Sequence, residues 1–328
     1  MIRARGLARS FKVKRETIQA VRGVDLDVEA GRLVAFLGPN GAGKSTSLRM
    51  LTTLLPPTAG TATVAGRDIA SDPKGVRART GYVGQRSGAG ENFRVRDELV
   101  NQGANYGLTR AAARRRADEV LETLDLAPLA RRRPSTLSGG QRRRLDIGLG
   151  LVHRPPLLFL DEPTTGLDPH SRANVWEHIL RLRERYGTTL FLTTHYLEEA
   201  DTMAERVVVI DGGRIIADGT ADRLKTEHAG DRIAVAPQDA GDSAAVAETS
   251  AHMFGNDNVA ADPSGAVRVR VPRADAALPE LLRTLEAAGI TTATAETSRP
   301  TLDDVFLTLT GRSLDEVQGE QAGEEAAT

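Results

Sequence analysis

Gly38, Asn40, Gly41, Ala42, Gly43, Lys44, Ser45 and Thr46 belong to one stretch, Gly-Pro-Asn-Gly-Ala-Gly-Lys-Ser-Thr, whose spacing matches G-x-x-x-x-G-K-[ST]. Glycines so placed let successive backbone N–H groups turn toward an anion, and a helix that starts at once adds its positive end. The chemistry is phosphate binding: Lys44 reaches the β- and γ-phosphates, the Ser45 hydroxyl is placed to ligate Mg2+, and Gly41, Gly43 and Thr46 shape the nest. The elements needed to hold such a loop flank it. The apolar run Leu33–Leu37 reads as a strand before it, and Ser47–Leu55 as a helix after it.

Other reactive residues stand at the ends of apolar runs. Asp161 and Glu162 close Leu157–Leu160, and two acids at the end of a buried strand are costly unless something cationic needs them. In a P-loop protein the strand-end Asp holds Mg2+ and the second acid can polarise the attacking water. Gln85 follows the strand-like Gly81–Gly84, and its amide can ligate Mg2+ or accept a hydrogen bond from water. His195 follows the strand-like Thr188–Thr194. Taken alone, Gln85 or His195 is a polar loop residue; together with Glu162 they share the rim where parallel-sheet proteins bind ligands. Ser138, Gly139, Gly140 and Gln141 open a further helix, Arg142–Val152. Ser138 is either only its N-cap, or part of a second anion site where two glycines permit close backbone approach.

The 328 residues exceed the usual single-domain size, so a main domain and a smaller one are expected. Forty-three basic residues against 44 acidic ones leave a formal net charge of −1, which argues against a nucleic-acid partner. The absence of cysteine excludes disulfides and thiolate metal sites. Neither a secretory signal nor an apolar run long enough to span a bilayer is found, so the chain is expected in the cytosol, at a membrane only through another polypeptide.

Ile2–Phe11 and Ile18–Val28 alternate as strands of an antiparallel flap around the charged turn 12–16. Phe11, the aromatic of that flap, serves either as a core contact or as a platform for a nucleotide base. Residues 87–151 read as a helical subdomain, with Val95–Ala104 and Thr109–Leu126 as helices. The runs Arg114–Arg116 and Arg131–Arg133 read as solvated faces, since Asp118, Glu119 and Glu122 share the segment. Asp168 before Pro169 starts another helix, and Arg206–Ile210 with Arg214–Ala217 form a closing hairpin. Beyond it, Glu227–Ala251 is rich in Ala, Asp, Gly and Ser and reads as a linker or a loosely structured start to a second unit. Val267–Val271 alternates as a strand, Ala277–Ala288 and Thr301–Leu309 are helical, and residues from Ser313 on are expected to be disordered.

In their order, Gly38 to Thr46, Gln85, Leu137 to Gln141, Leu157 to Glu162, Leu167 with Asp168, and His195 resemble the motif set of the nucleotide-binding domain of ABC transporters. The block ending in Thr301 to Gly311 looks like the C-terminal region of ATPase subunits of the daunorubicin/doxorubicin-resistance type of multidrug exporter. The resemblance implies an α/β P-loop ABC-type ATPase domain over 1–221, with a mixed sheet core, an antiparallel β flap and a helical subdomain at about 87–151. A small α+β C-terminal domain over 222–312 and a tail over 313–328 follow.

It also answers the question raised by two anion sites in one chain. Two domains pair head to tail, so that Ser138, Gly139, Gly140 and Gln141 of one and the phosphate loop of the other clamp the same ATP, and the homodimer encloses two ATP molecules. By motif, Lys44 contacts the β- and γ-phosphates, Ser45 and Asp161 hold Mg2+, and Gln85 joins the γ-phosphate region to the membrane partner. Glu162 is the general base, His195 binds the γ-phosphate, and Asp168 works across the interface. Phe11 falls where the family usually has a Tyr that stacks on adenine. The expected partner is a separately encoded transmembrane permease, faced by the stretch with Phe93 and Tyr106, with the chain peripheral on the cytoplasmic face of the membrane. A soluble ABC ATPase acting on ribosomes or DNA is the competing class; one motif set, a short span from Gln85 to Leu137 and no cysteine weigh against it. A GTPase is disfavoured because no Asn-Lys-x-Asp motif occurs, and an importer subunit is the runner-up.

Overall fold

Leu33–Leu37, Leu157–Asp161 and Thr189–Thr194 are buried at every residue. Strands without a polar face fit only inside a sheet covered on both sides, the usual setting of parallel strands. In the computed structural model, which describes residues 1–13, 16–261 and 265–312, these three lie side by side at the centre of a six-stranded sheet. Its order runs Arg214–Gly219, Arg206–Asp211, Leu33–Leu37, Thr189–Thr194, Leu157–Asp161, Thr80–Val83. Every pairing from Arg206–Asp211 to Thr80–Val83 is parallel. All carboxyl ends of those strands therefore open on one edge, and from that edge issue the phosphate loop, Gln85, Glu162 and His195.

The flap is longer than its sequence alternation suggests. Ile2–Val13 and Glu16–Val28 pair antiparallel, and Ala59–Val64 and Arg67–Asp68 extend them to four strands. Leu7, Val24 and Leu26 share one core with Phe36, Phe159 and Phe191 of the central sheet. Phe191 sits between the other two aromatics, with ring centroids 5.6 and 5.8 Å apart. Rings at such angles gain quadrupolar attraction beyond their buried area.

The helical region contains Val95–Asn105, Arg110–Thr123 and Gly139–Leu151. Gly148 permits the last two to approach closely, since a Cβ there would stand 2.8 Å from Val120. Arg114 and Arg115 are solvated, as expected, but Arg116 is buried at 8% exposure. The 3.6-residue period turns it inward beside Ala113 and Ala117, where its guanidinium donates to the carbonyls of Leu151 and Val152.

The chain divides into two units, Met1–Asp218 and one beginning at Gly219. The second is not loosely built at its start. Asp231–Pro237 is a strand and Ser243–Phe254 a helix within the stretch that composition alone presents as a linker. Ile233, Val235 and Val246 supply fully buried side chains among the small residues, enough to fix both elements. With Val259–Ala261, Val267–Val271, Ala274–Ala287 and Thr292–Ser298 they form an antiparallel sheet with its strands in the spatial order second, third, first, fourth. This is the β-α-β-β-α-β, ferredoxin-like topology. Val267, Val269 and Val271 point into its core while Arg268 and Arg270 point out. Helix Leu302–Thr310 follows, its start fixed by a capping box between Thr301 and Asp304. The expected disordered tail from Ser313 on lies outside the described residues.

Candidate functional site

The helix Lys44–Leu51 begins directly after the turn that Gly41 and Gly43 make with φ of 73° and 102°. Gly43 is required twice over: its φ is left-handed, and a Cβ would lie 2.5 Å from the Ala20 carbonyl oxygen. Lys44 folds back, and its Nζ donates to the carbonyls of Gly38 at 2.7 Å and Pro39 at 3.0 Å. The same ammonium lies 3.3 Å from Glu162 Oε1, with both side chains almost fully buried. Burial pushes the Lys44 pKa down against the charge of Glu162.

Glu162 occupies a left-handed backbone conformation, φ 46°, immediately past strand Leu157–Asp161. A non-glycine residue in that region is strained and persists only where its surroundings hold it. Here the Glu162 N–H donates to the Thr193 carbonyl and, at 3.0 Å, to its hydroxyl. The carboxylate faces His195 Nδ1 at 3.3 Å, and the Thr165 hydroxyl donates to it at 3.2 Å. Burial raises the Glu162 pKa, but the His195 hydrogen bond and then the Lys44 charge outweigh it and bring the group to about 2. Asp161, the last residue of the strand, accepts from the Ser45 hydroxyl at 2.9 Å and the Thr193 hydroxyl at 2.7 Å.

Lys44, Ser45 and Glu162 face a cavity of about 320 Å³ lined by Ala20, Pro39 to Gly41, Gly43 to Thr46, Gln85 and Glu162. The structure thus brings together Lys44, Ser45, Asp161, Glu162 and His195 through direct contacts, with Gln85 on the cavity wall. It leaves others outside the wall. Phe11 is half-buried on the flap, under the Arg9 guanidinium at 4.8 Å. Ser138 caps helix Gly139–Leu151 in a reciprocal capping box with Gln141, and Asp168 caps Pro169–Tyr186 by accepting from the Ser171 N–H at 2.9 Å. The two helix starts are neighbours, since a Cβ at Gly140 would stand 3.1 Å from Ser171. Phe93 is exposed, whereas the Tyr106 ring stacks on His153 with centroids 3.6 Å apart.

Sequence reading passed over Arg143 and Asp146. Arg143 is 7% exposed and donates to the carbonyls of Pro163 and Gly84, each at 2.6 Å, and of Asp161 at 3.1 Å and Glu162 at 3.3 Å. Asp146, 6% exposed, accepts from the backbone N–H of Gly88 and Ala89 and from the Ser87 hydroxyl. Burial pushes its pKa up against those donors. The signal was present: Leu145, Ile147, Leu149 and Leu151 are apolar around them, so charges in mid-helix needed partners.

A glycine-rich loop between a parallel strand and a helix, an acid pair on a neighbouring strand end and a histidine on the next define an ATP-hydrolysing P-loop cassette. The family model described as ABC transporter matches residues 21–165, and one described as ATP-binding protein DrrA1-3-like, C-terminal domain, matches 219–310. The chain is 46% identical over 294 residues to the daunorubicin resistance ATP-binding protein DrrA3 of Streptomyces coeruleorubidus, covering 89% of this chain and 92% of that one. Identity to the daunorubicin/doxorubicin resistance ATP-binding protein DrrA of Streptomyces peucetius is 45% over 312 residues, 94% and 92% of the two chains. Among solved structures, a dimeric ATP-binding cassette in a post-hydrolysis state bound to ADP and Pi superposes with a TM-score of 0.61 at 25% identity, over 67% of this chain and 98% of that one. The chain belongs to the ABC transporter ATP-binding proteins, in the DrrA-like group, and is an ATPase of that family. Among the described residues no helix is long and apolar enough to cross a membrane.

Proposed function

We propose that this chain powers the export of a drug-like or amphipathic compound through a separate transmembrane subunit, with two copies closing head to tail over two ATP molecules at the cytoplasmic face of the membrane. The observation that carries the reading is that Lys44, Ser45 and Glu162 line one cavity with Asp161 and His195 in direct contact with them, while the capped start at Ser138, Gly139 and Gly140 lies off that cavity. The resistance names of the relatives favour a drug-like cargo.

Lys44 exchanges Glu162 for the β- and γ-phosphates, and the Gly41 and Gly43 turns aim backbone N–H groups at them. The donor set fits a hard cation: Ser45 and Asp161, already joined at 2.9 Å, with Gln85 on the wall, would hold Mg2+, which when bound screens the phosphate charge. Glu162 accepts the proton of the attacking water, and the bond from the γ-phosphorus to ADP breaks. Losing Lys44 to the phosphates raises the proton affinity of Glu162 from its resting value, which suits a base. His195 steadies the Glu162 carboxylate and the γ-phosphate. Phe11 offers a ring to the base from the flap, Asp168 acts across the dimer, and Gln141 holds the capped start that meets the second nucleotide.

Closure follows because only the closed pair offers an ATP molecule both anion sites, a population shift driven by differential affinity. The test is a pull-down of tagged Glu162→Gln protein, loaded with ATP, from detergent-solubilised cells of its native host. A multi-span membrane protein in near-stoichiometric amount supports the transport reading. Ribosomal proteins or DNA without a membrane protein would overturn it.

A further inference from the structure

Helix Arg110–Thr123 opens with a charge distribution that works against it. Arg110, Arg114 and Arg115 fall in its first six residues, and no acid stands in its first turn. The positive end of the helix dipole disfavours cations there, so the placement lowers stability. All three side chains are exposed, and none makes an ion pair among the described residues. Two acids of the helix are already taken up. Asp118 binds Arg96 at 2.7 Å, and Glu119 is shared by Arg116 and Arg154, the latter at 2.8 Å. Glu122 is in the last turn, about 10 Å along the axis from Arg115. Successive residues turn by about 100°, so Arg110, Arg114 and Arg115 fan over about 140° of the outer face. Arg115 also borders a cleft of about 290 Å³ that it shares with Arg116, Glu119, His153 and Arg154. One carboxylate there answers three guanidinium charges, and the cleft is cationic. His153, on which the Tyr106 ring stacks, forms part of the same wall.

We propose that this end of the helical region is a docking surface for anionic lipid, with headgroup phosphates of the cytoplasmic leaflet against Arg110 and Arg114 and one seated at the Arg115 cleft. The inference rests on the reading that puts the chain at the membrane beside a permease, with Tyr106 on the partner's side. A guanidinium fork matches phosphate oxygens bidentately, and an anionic leaflet attracts each arginine near its surface. The permease itself is a poor occupant. Cytoplasmic loops of membrane proteins carry an excess of Lys and Arg, which an unpaired basic patch repels. Nucleic acid fits no better: the chain's net charge is −1, and the rings at hand are engaged, Tyr106 on His153 and Tyr186 under Arg116 and Arg154. Lipid contact seats the helical region on the leaflet and orients the stretch with Phe93 and Tyr106 toward the permease.

The test is flotation of the full chain with vesicles that contain no permease, made either of phosphatidylcholine alone or of equal parts phosphatidylcholine and phosphatidylglycerol. Binding is expected to the anionic vesicles only, and to weaken as salt rises. Each arginine removed should lower partitioning about fivefold, and the triple variant Arg110→Ala, Arg114→Ala, Arg115→Ala about 100-fold. Alanine at exposed helix positions keeps the helix, and ATP hydrolysis in solution should stay at the parent's rate. Arg131→Ala with Arg133→Ala removes two exposed charges elsewhere in the helical region and should leave binding within about twofold. Arg115→Lys keeps the charge but loses the fork, so it should bind more weakly than the parent and more tightly than Arg115→Ala. Three results overturn the proposal: no binding to the anionic vesicles, equal losses in the triple variant and the Arg131, Arg133 control, or release by inorganic phosphate where chloride of equal ionic strength releases none, which marks a site for the free anion. None of these touches the permease pull-down. A failed pull-down with intact vesicle binding would instead remove the permease and leave the lipid surface standing.

Discussion

Replacing Glu162 with glutamine removes the negative partner that Lys44 holds in the resting chain. The two groups are 3.3 Å apart with side chains 3% and 5% exposed. At an effective dielectric of about 20 their attraction is about 5 kcal/mol, and breaking a buried pair from one side costs about 3–5 kcal/mol. Lys44 keeps the Gly38 and Pro39 carbonyls, and the new amide oxygen still accepts, so the net loss should be nearer 1–3 kcal/mol, on the order of the charged hydrogen bond removed. For a unit of this size that lowers the thermal midpoint of the nucleotide-free protein by roughly 2–4 °C per kcal/mol. With Mg2+ and ATP the phosphates satisfy Lys44 in both proteins, so the gap closes and the ATP-induced rise is larger in Glu162→Gln. The pH window follows from the lowered Glu162 pKa. A carboxyl brought from 4.5 to about 2 on folding contributes stability that is complete above pH 4.5 and is lost as pH falls toward 2. The difference between the two proteins should thus persist at pH 7 and shrink below pH 4. Turnover, followed by phosphate release, should fall about 10²- to 10⁴-fold. Equal midpoints without nucleotide and equal ATP shifts would refute the resting pair, and near-normal turnover would remove Glu162 from the role of base.

Lys44→Ala should weaken ATP binding at least tenfold in a titration while leaving the helix Lys44–Leu51 folded; unchanged affinity would contradict the placement of the phosphates. Gly43→Ala puts a methyl 2.5 Å from the Ala20 carbonyl at φ 102° and should also abolish ATP binding, so an ATP affinity equal to the parent's would contradict the loop geometry. Ser138→Arg costs the helix its cap, about 1 kcal/mol, and should leave ATP affinity within about twofold while preventing any ATP-dependent dimer. His153 is half-buried and stacked on Tyr106, and desolvation takes its pKa from 6.5 down to about 4. A histidine kept neutral on folding destabilises the protein as pH falls from 6.5 to about 4, by at most about 3 kcal/mol. Denaturant midpoints of His153→Gln should be less sensitive across that window, and parallel curves would exclude His153.

The phosphate loop, the acid pair and the strand-end residues were legible because each is marked by local chemistry: glycines before a lysine, carboxylates ending an apolar run, polar residues at strand ends. Their convergence was legible only as an inference from parallel strands, whose carboxyl ends share an edge. What stayed hidden depended on contacts distant in sequence. Arg143 looks like part of the run Arg142–Arg144, and only the return of Gly84 and Pro163 beside it shows why it is buried. Arg116 is hidden in the same way, its partners being carbonyls 35 and 36 residues later. The start of the second unit was misread because alanine and serine in a thin core carry little hydrophobic periodicity; three aliphatic side chains fix the first strand and helix there. Phe11 was marked by its place on the flap, yet its ring is covered by Arg9 and does not line the cavity.

The head-to-tail clamp is tested most directly by the mass of full-length Glu162→Gln protein in sedimentation velocity, with Mg2+ and either ATP or ADP at saturation. Closure over two shared nucleotides requires a doubled mass with ATP, the monomer with ADP, and the monomer with ATP once Ser138→Arg is added. A monomer at saturating ATP, with binding of the nucleotide verified in the same sample, would contradict the clamp and leave Ser138, Gly139 and Gly140 as the capped start of a helix and nothing more.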